Sequence, residues 1–345
     1  VRYFGSVPLH LTPVTERSEA ALPLSSEEEI YTQIIQDLIE SIQLLPPKSQ
    51  QELGRATSGA AQTLLANVYI EQQAWAEAES LLREVVNSGE YSLMPDYADA
   101  FTTSNGNKNN AESVFEVQFK EGPDGLNGNY LYAFMPRPMA PEELVTITGT
   151  ANPQPLNGEG NNIPTPDIIE AYEEGDLRKN TSIDSIQIAG SFWRDGVYPY
   201  IKKHAKPHAL HNNHGMNWPI YRYSEVLLFL AEALDEQGKS GEAVMFLNEV
   251  RSRAGLSEAT GDLGEAIFRE RRVELAFENK RWFDLVRTGR AIDVITAHGQ
   301  RVINNPQDYY YPFEEEGAEP RSNAFTNISL KYALPAAEAD LSPHF

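Results

Sequence analysis

Apolar residues recur at helical spacing over several long stretches of the chain. In SEEEIYTQIIQDLIESIQLLP, Ile30, Ile34, Leu38 and Ile42 fall on one face of a helix. Ser26 stands where an N-cap belongs, three glutamates occupy the first turn, and Pro46-Pro47 stops the helix. Residues 60–93 carry two more helical patterns separated by a short polar break, and residues 223–256 carry the same arrangement over the same 34-residue length. Sliding one block on the other by 165 positions aligns Ala66 with Ala231, Ala78 with Ala243, Leu65 with Leu230, and Leu82 with Leu247. Small residues twelve apart, one on each helix of an antiparallel pair, let two backbones approach closely, which is the packing logic of a tetratricopeptide-like repeat. Two such units are too few for a solenoid, so each must pack on other helices.

Between the repeats, from about residue 94 to 220, glycine, asparagine and proline accumulate in TTSNGNKNN, EGPDGLNGNY and ANPQPLNGEGNNIPTPD. Short runs such as SVFEVQF and LVTITG read as β segments, and PTPDIIEAYEEGD reads as a short helix with Pro166 in its first turn. After the second repeat, GEAIFRERRVELAFENKRWFDLVRTG reads as one long helix, followed by a proline-rich tail with aromatic clusters. The predicted fold class is mostly α: a helical repeat scaffold with a large loop-rich insertion containing short β segments. Three parts of one integrated domain follow: 1–93, 94–220 as the ligand face, and 221–345.

A chain of 345 residues can bury a sizeable core without staples, and it contains no cysteine, which excludes disulfides and thiolate chemistry. The formal charge of −22 repels phosphates and argues against nucleic acid or an anionic membrane surface as partner. No apolar run is long enough to span a bilayer. The first residues, VRYFGSVPLHLTP, lack the pattern of a signal peptide and read instead like the end of a buried helix, so further sequence upstream is expected.

Taken in order, VRYFGSVPL, NNIPTPDIIEAYEEGDLRKNTSI, YRYSEVLLFLAEAL, LNEVRSRAGL, RERRVELAFENKRWFDLVRTG and LPAAEADLSPHF resemble segments of the SusD/RagB-like glycan-binding lipoproteins, over essentially the whole chain. The resemblance implies an all-helical scaffold of repeat pairs carrying a loop-rich face. It also implies a lipoprotein on the extracellular face of a Bacteroidetes-type outer membrane, acting as the lid of a TonB-dependent, SusC-like transporter. Such proteins carry a signal peptide and a lipidated N-terminal cysteine; their absence here places the anchor, and one or two upstream repeats, outside this sequence.

The stretch ENKRWFDLVRTGR, 278–290, mixes basic side chains with aromatics. Phe268, Val273, Leu275, Phe277, Trp282, Phe283 and Leu285 give this region broad apolar faces, so it reads as buried helix rather than as a phosphate grip. Arg271 and Glu274, Glu278 and Arg281, and Asp284 and Arg287 stand three apart, where opposite charges pair on one helix.

Four histidines, His204, His208, His211 and His214, crowd into HAKPHALHNNHG at spacings that could serve zinc or copper on a helix, but Pro207 interrupts any helix there and a solvated loop is the alternative. Glutamate runs at 27–29 and 314–316 read as solvated faces, not as the cleft-spanning pair a glycosidase needs. No phosphate loop, nucleophile elbow or H-E-x-x-H motif occurs, so no enzyme is expected.

In an extended strand, Tyr130, Tyr132 and Phe134 would project to one side, as a platform for the flat C–H face of a sugar. Trp193 adds a further ring, whereas Trp218 precedes the repeat helix and should seat it. The candidate ligand contacts are Tyr130, Tyr132 and Trp193, with Asn127, Asn129, Arg194 and Asp195 beside them for hydroxyl groups. No cofactor is implied; Asp124, Asn127 and Asn129 could form a structural calcium loop, against which stands its single carboxylate. The expected function is capture of oligosaccharides or polysaccharide fragments, neutral rather than acidic given the charge, for delivery to the transporter. The alternatives are a peptide-binding lid of the same transporter class and a helical-repeat adaptor for protein partners.

Overall fold

The structure is a computed structural model that describes residues 1–16, 19–102, 108–157, 162–189, 195–309, 325, 327–337 and 344. A two-residue pairing of β1 (Val7–Pro8) with β2 (Leu24–Ser25) leads into α1 (Glu27–Leu44). The Ser26 hydroxyl accepts from the Glu29 N–H at 3.2 Å, and the Glu29 carboxylate accepts from the Ser26 N–H at 2.8 Å, so two otherwise orphaned donors are satisfied reciprocally. Of the expected face of α1, Ile30 is fully buried, while Ile34, Leu38 and Ile42 are half-buried.

Helices α2 (Ser58–Glu71) and α3 (Trp75–Asn87) form the first antiparallel pair. In the segment that follows come β3 (Ser113–Val117), α4 (Pro141–Thr148), α5 (Pro166–Ile169), α6 (Arg178–Ser182), β4 (Ile183–Ile188), β5 (Gly196–Ile201) and β6 (Trp218–Arg222). The second pair is α7 (Tyr223–Asp235) with α8 (Ser240–Arg253), and α9 (Leu263–Glu274), α10 (Arg281–Arg287) and α11 (Ala291–Asn304) complete the described helices. Helix α3 packs on α7, so the two pairs stack into one core. Ala66, Ala78, Leu82, Ala231, Ala243 and Leu247 all lie in that core at 0 % exposure. The scaffold is thus a tetratricopeptide-like stack, with each alanine where a larger side chain would push the helices apart.

Strands β3 and β6 pair antiparallel, with Val117 opposite Trp218, and bring the start and end of the intervening segment together at the foot of α7. Strands β4 and β5 form a hairpin from Ile183↔Ile201 to Ile188↔Gly196. LVTITG is not a β segment: it falls in α4, where Pro141 fits the first helical turn, the Glu143 carboxylate accepts from the Ala140 N–H at 2.7 Å, and Gly149 ends the helix at φ +68°. The run Tyr130–Phe134 is not extended either but a short 3₁₀ helix, so its aromatics do not share one side.

The long helix expected after the second repeat is broken into α9 and α10. Phe277 and Asn279 take left-handed backbone, φ +68° and +60°, which a β-carbon disfavours, and Glu278 is held between them. That break turns Glu278 to the Arg222 guanidinium at 2.8 Å and to Lys203 Nζ at 2.9 Å. Of the three same-helix ion pairs expected, Asp284 with Arg287 forms at 2.8 Å. Arg271 instead reaches Asp284 at 3.1 Å across the break, while Glu274 is shared by Arg178, Arg222 and Arg253 from other elements.

These charges form a buried lattice. Arg178, fully buried, pairs with Asp176 at 2.7 Å and also meets Glu270 and Glu274; Arg222 meets Glu112, Glu274 and Glu278. Burial alone would push the carboxyl of Glu274 upward, but Arg253, Arg222 and Arg178 hold it well below the usual range. The basic stretch near 278–290 therefore grips the protein's own carboxylates rather than a phosphate.

Candidate functional site

The loop 206–214 is stitched between two others. On one side, the Gly128 N–H donates to the His214 carbonyl at 2.9 Å and the His214 N–H returns a bond to Gly128 at 3.1 Å. Asn213 Oδ1 accepts from the Gly122 N–H at 2.8 Å, its Nδ2 donates to the Gly122 carbonyl at 2.9 Å, and Asn127 Nδ2 donates to the Asn212 carbonyl at 2.7 Å. On the other side, the Ala151 N–H donates to the Ala209 carbonyl at 2.9 Å, and the His211 N–H donates to Asn152 Oδ1 at 2.9 Å. Gly128 is required at the seam: a β-carbon there would lie 2.6 Å from His214 Cε1.

The four histidines have four different surroundings, and they share no helix face. His204, buried, donates from Nε2 to the Phe277 carbonyl at 2.8 Å and stacks on Trp218, ring centroids 4.9 Å apart. His214 lies edge to face with Tyr130 at 4.6 Å. Burial lowers their pKa values to about 3 and about 4, so both are neutral packing groups. His208 accepts the Tyr132 hydroxyl at Nε2, 2.5 Å away, while its Nδ1 donates to the Lys206 carbonyl at 2.8 Å. Among the described residues no group of histidine and carboxylate side chains could hold a metal ion. The calcium loop is likewise taken apart, with Asp124 ion-paired to Lys120 at 2.6 Å and Asn127 bonded to Asn212.

The candidate contacts fare differently. Tyr132 is 3 % exposed, its hydroxyl bonded to His208 and its ring covered by that of His211, centroids 4.3 Å apart. Tyr130 is half-buried; its hydroxyl donates to the carbonyls of Met216 and Asn217 at 3.1 Å each, and its ring meets Trp218 edge-on at 5.0 Å. Neither tyrosine offers a free ring face as a sugar platform; both support the loops above them. Asn127 keeps Oδ1 unpaired, and the exposed Asn129 side chain makes no bond among the described residues. Asp195 is exposed at the start of the return strand of the β4–β5 hairpin, and Trp193 and Arg194 lie outside the described residues. Trp218 is the first residue of β6, which runs directly into α7, and its ring packs on Tyr130, Phe134 and His204.

Sequence reasoning missed His211, Asn152, Gln154 and Asn212 as members of this face. Gln154 donates its backbone N–H to His211 Nδ1 at 3.4 Å, while Gln154 Oε1, Asn152 Nδ2 and the exposed Asn212 side-chain amide have no partner among the described residues. Leu126 and Leu210, 58 % and 48 % exposed, add apolar surface to the same two loops. The signal was present in HALHNNHG, whose alternating imidazole and amide groups point as readily to hydrogen bonding as to metal.

Helical pairs stacked on their alanines, with a polar loop face carried between them, define a repeat-scaffold binding protein. Residues 79–343 match the model of the SusD family, and the chain belongs to that family. It is 24 % identical over 99 % of its length to SusD-like protein P25 of Formosa agariphila, of which the match covers 68 %. A solved laminarin binding SusD-like protein is 29 % identical, with TM-score 0.70 over 86 % of this chain and 69 % of that one. Surface glycan-binding protein A from Bacteroides uniformis is 25 % identical, with TM-score 0.66 over 85 % and 66 % of the two chains. The family's members are cell-surface, outer-membrane-associated binding proteins, not enzymes. No helix among the described residues is long and apolar enough to cross a membrane.

Proposed function

We propose that this protein captures oligosaccharides or polysaccharide fragments at the cell surface and passes them to a SusC-like, TonB-dependent transporter. The observation that carries the proposal is the stitched loop face, where Asn127 Oδ1, Asn152 Nδ2, Gln154 Oε1 and the side chains of Asn129 and Asn212 have no partner among the described residues, beside the Tyr132–His211 ring pair. Sugars present hydroxyls that both donate and accept, which suits amides, and C–H faces that pack on flat rings and on Leu126 and Leu210. Asp195, next to β5, and the sequence-adjacent Trp193 and Arg194, which lie outside the described residues, are proposed as a second element of the contact. A relative that binds laminarin supports a glycan over a peptide.

Affinity per site should be modest, because sugar hydroxyls exchange bonds with water for bonds with protein at little net gain. The test is native affinity electrophoresis through laminarin, galactomannan, hydroxyethyl cellulose, starch or alginate, with Trp193→Ala and Asn127→Ala beside the wild type. Retardation by a glycan that weakens in either variant, with circular dichroism unchanged, is the expected result. No retardation by any polysaccharide, together with binding of a peptide mixture, would replace the glycan reading by the peptide one. Co-purification with an outer-membrane transporter from native membranes tests the delivery step.

A further inference from the structure

Resting on the glycan reading, we propose that His211 is the specificity-determining contact of the loop face, a neutral imidazole that offers its Nε2–H to an oxygen of an uncharged pyranose. Four observations converge on this residue. Its ring covers the otherwise buried Tyr132 ring, centroids 4.3 Å apart at 56°, so His211 is the outermost ring of that pair. Its backbone is pinned by the bond from its N–H to Asn152 Oδ1 at 2.9 Å, so the ring is positioned before any ligand arrives. Its Nδ1 accepts from the Gln154 N–H at 3.4 Å, which places the imidazole proton on Nε2. That Nε2 has no partner among the described residues and is not enclosed, unlike the enclosed nitrogens of His204 and His214.

The surroundings decide the ligand's charge. An Nδ1 that accepts a hydrogen bond belongs to a neutral imidazole, and burial, then the neighbouring His208, lower the pKa of His211 in the same sense. Near it stand Glu121, whose carboxylate accepts from the Ala209 N–H at 2.6 Å, and two cations with no carboxylate partner among the described residues: Lys206 in the same loop, and Arg137, which donates to the Tyr132 carbonyl at 3.0 Å. Glu121 offsets these cations locally, and against a net charge of −22 on the chain the face suits neutral sugars and disfavours uronate or sulfate groups. Unpaired Gln154 Oε1 and Asn152 Nδ2 supply an acceptor and a donor beside the imidazole, the complement of adjacent hydroxyls on one ring.

The experiment measures retardation of wild type, His211→Ala, His211→Phe and Asn212→Ala in gels containing laminarin, galactomannan, hydroxyethyl cellulose, starch or alginate, with thermal midpoints alongside. The expected result is retention by at least one neutral glycan, weakened at least tenfold in His211→Ala, and weakened also in His211→Phe, which keeps a ring over Tyr132 but loses the N–H. If His211→Ala lowers the thermal midpoint, His211→Phe decides: a native midpoint with weakened binding supports the donor role. Wild-type retention in His211→Phe overturns it, and unchanged retention in His211→Ala overturns the whole inference while leaving the glycan reading intact. Retention of the wild type by alginate alone overturns the neutral-sugar assignment, and retention by none of the five glycans removes both readings.

Discussion

The repeat pairs and the segment between them are held together by opposite means. The α2–α3 and α7–α8 pairs join through an apolar core in which alanines and leucines reach 0 % exposure. Residues 112, 178 and 203 are instead tied to 222, 253, 270, 274 and 278 by buried ions. An apolar core stabilises without direction, whereas a buried ion pair is worth having only with its partners in place, and is costly once one is removed. The segment that presents the loop face is therefore held by charge geometry beside a small apolar cluster of Tyr172, Val273 and Ala276.

Acid should break this contrast most severely. Burial would raise the carboxyls of Glu278 and Asp284, but Arg222 with Lys203, and Arg271 with Arg287, override it and hold both at about 2, against ordinary values of 4.5 and 3.8. Their folded values lie below their unfolded ones, so their stabilisation is complete above about pH 4.5 and is lost as pH falls through about 2. Thermal midpoints between pH 7 and 2.5 should fall steeply below pH 4.5, and a midpoint unmoved at pH 2.5 would refute the lattice as a source of stability.

Removing one cation is the next test. Arg222→Ala leaves Glu112, Glu274 and Glu278 short of a buried partner and should cost about 3–5 kcal/mol in urea unfolding. A loss under 1 kcal/mol would mean that water or rearrangement replaces the guanidinium. In the scaffold, Ala231→Leu adds volume at a position of 0 % exposure between the stacked pairs and should cost about 3 kcal/mol, with the loop face unaltered in its glycan retention. Equal losses of stability and of glycan binding there would show that the two regions are not mechanically separable. The smallest effect is expected at the seam, where Gly128→Ala should cost about 1 kcal/mol yet reduce retention, because the new methyl displaces His214 and with it the loop carrying His211. Retention equal to wild type would detach the seam from the site.

The helices α1, α2, α3, α7 and α8 were legible because their 3.6-residue apolar period is local, and the paired alanines of residues 60–93 and 223–256 disclosed the repeat packing. LVTITG was misread as strand because β-branched residues outweighed the start and stop signals of Pro141 and Gly149. The break at Phe277–Asn279 carried no glycine or proline to announce it. It exists to aim Glu278 at Arg222, a partner 56 residues away.

The site divides along the same line. Asn127 and Asn129 were readable as polar groups in a glycine-rich loop, and the clusters of aromatics drew attention to the segment between the repeats. That Tyr132 lies beneath His211, and that Asn127 meets Asn212 across 85 residues of chain, depended on contacts between loops that no local period encodes. The sequence by itself determined the helical scaffold, its repeat and its family, because these rest on short-range periodicity and on extended motifs. Tertiary structure alone decided which rings are buried, which charges find partners and which imidazole faces solvent, because burial and pairing are properties of segments distant in the chain that fold against one another.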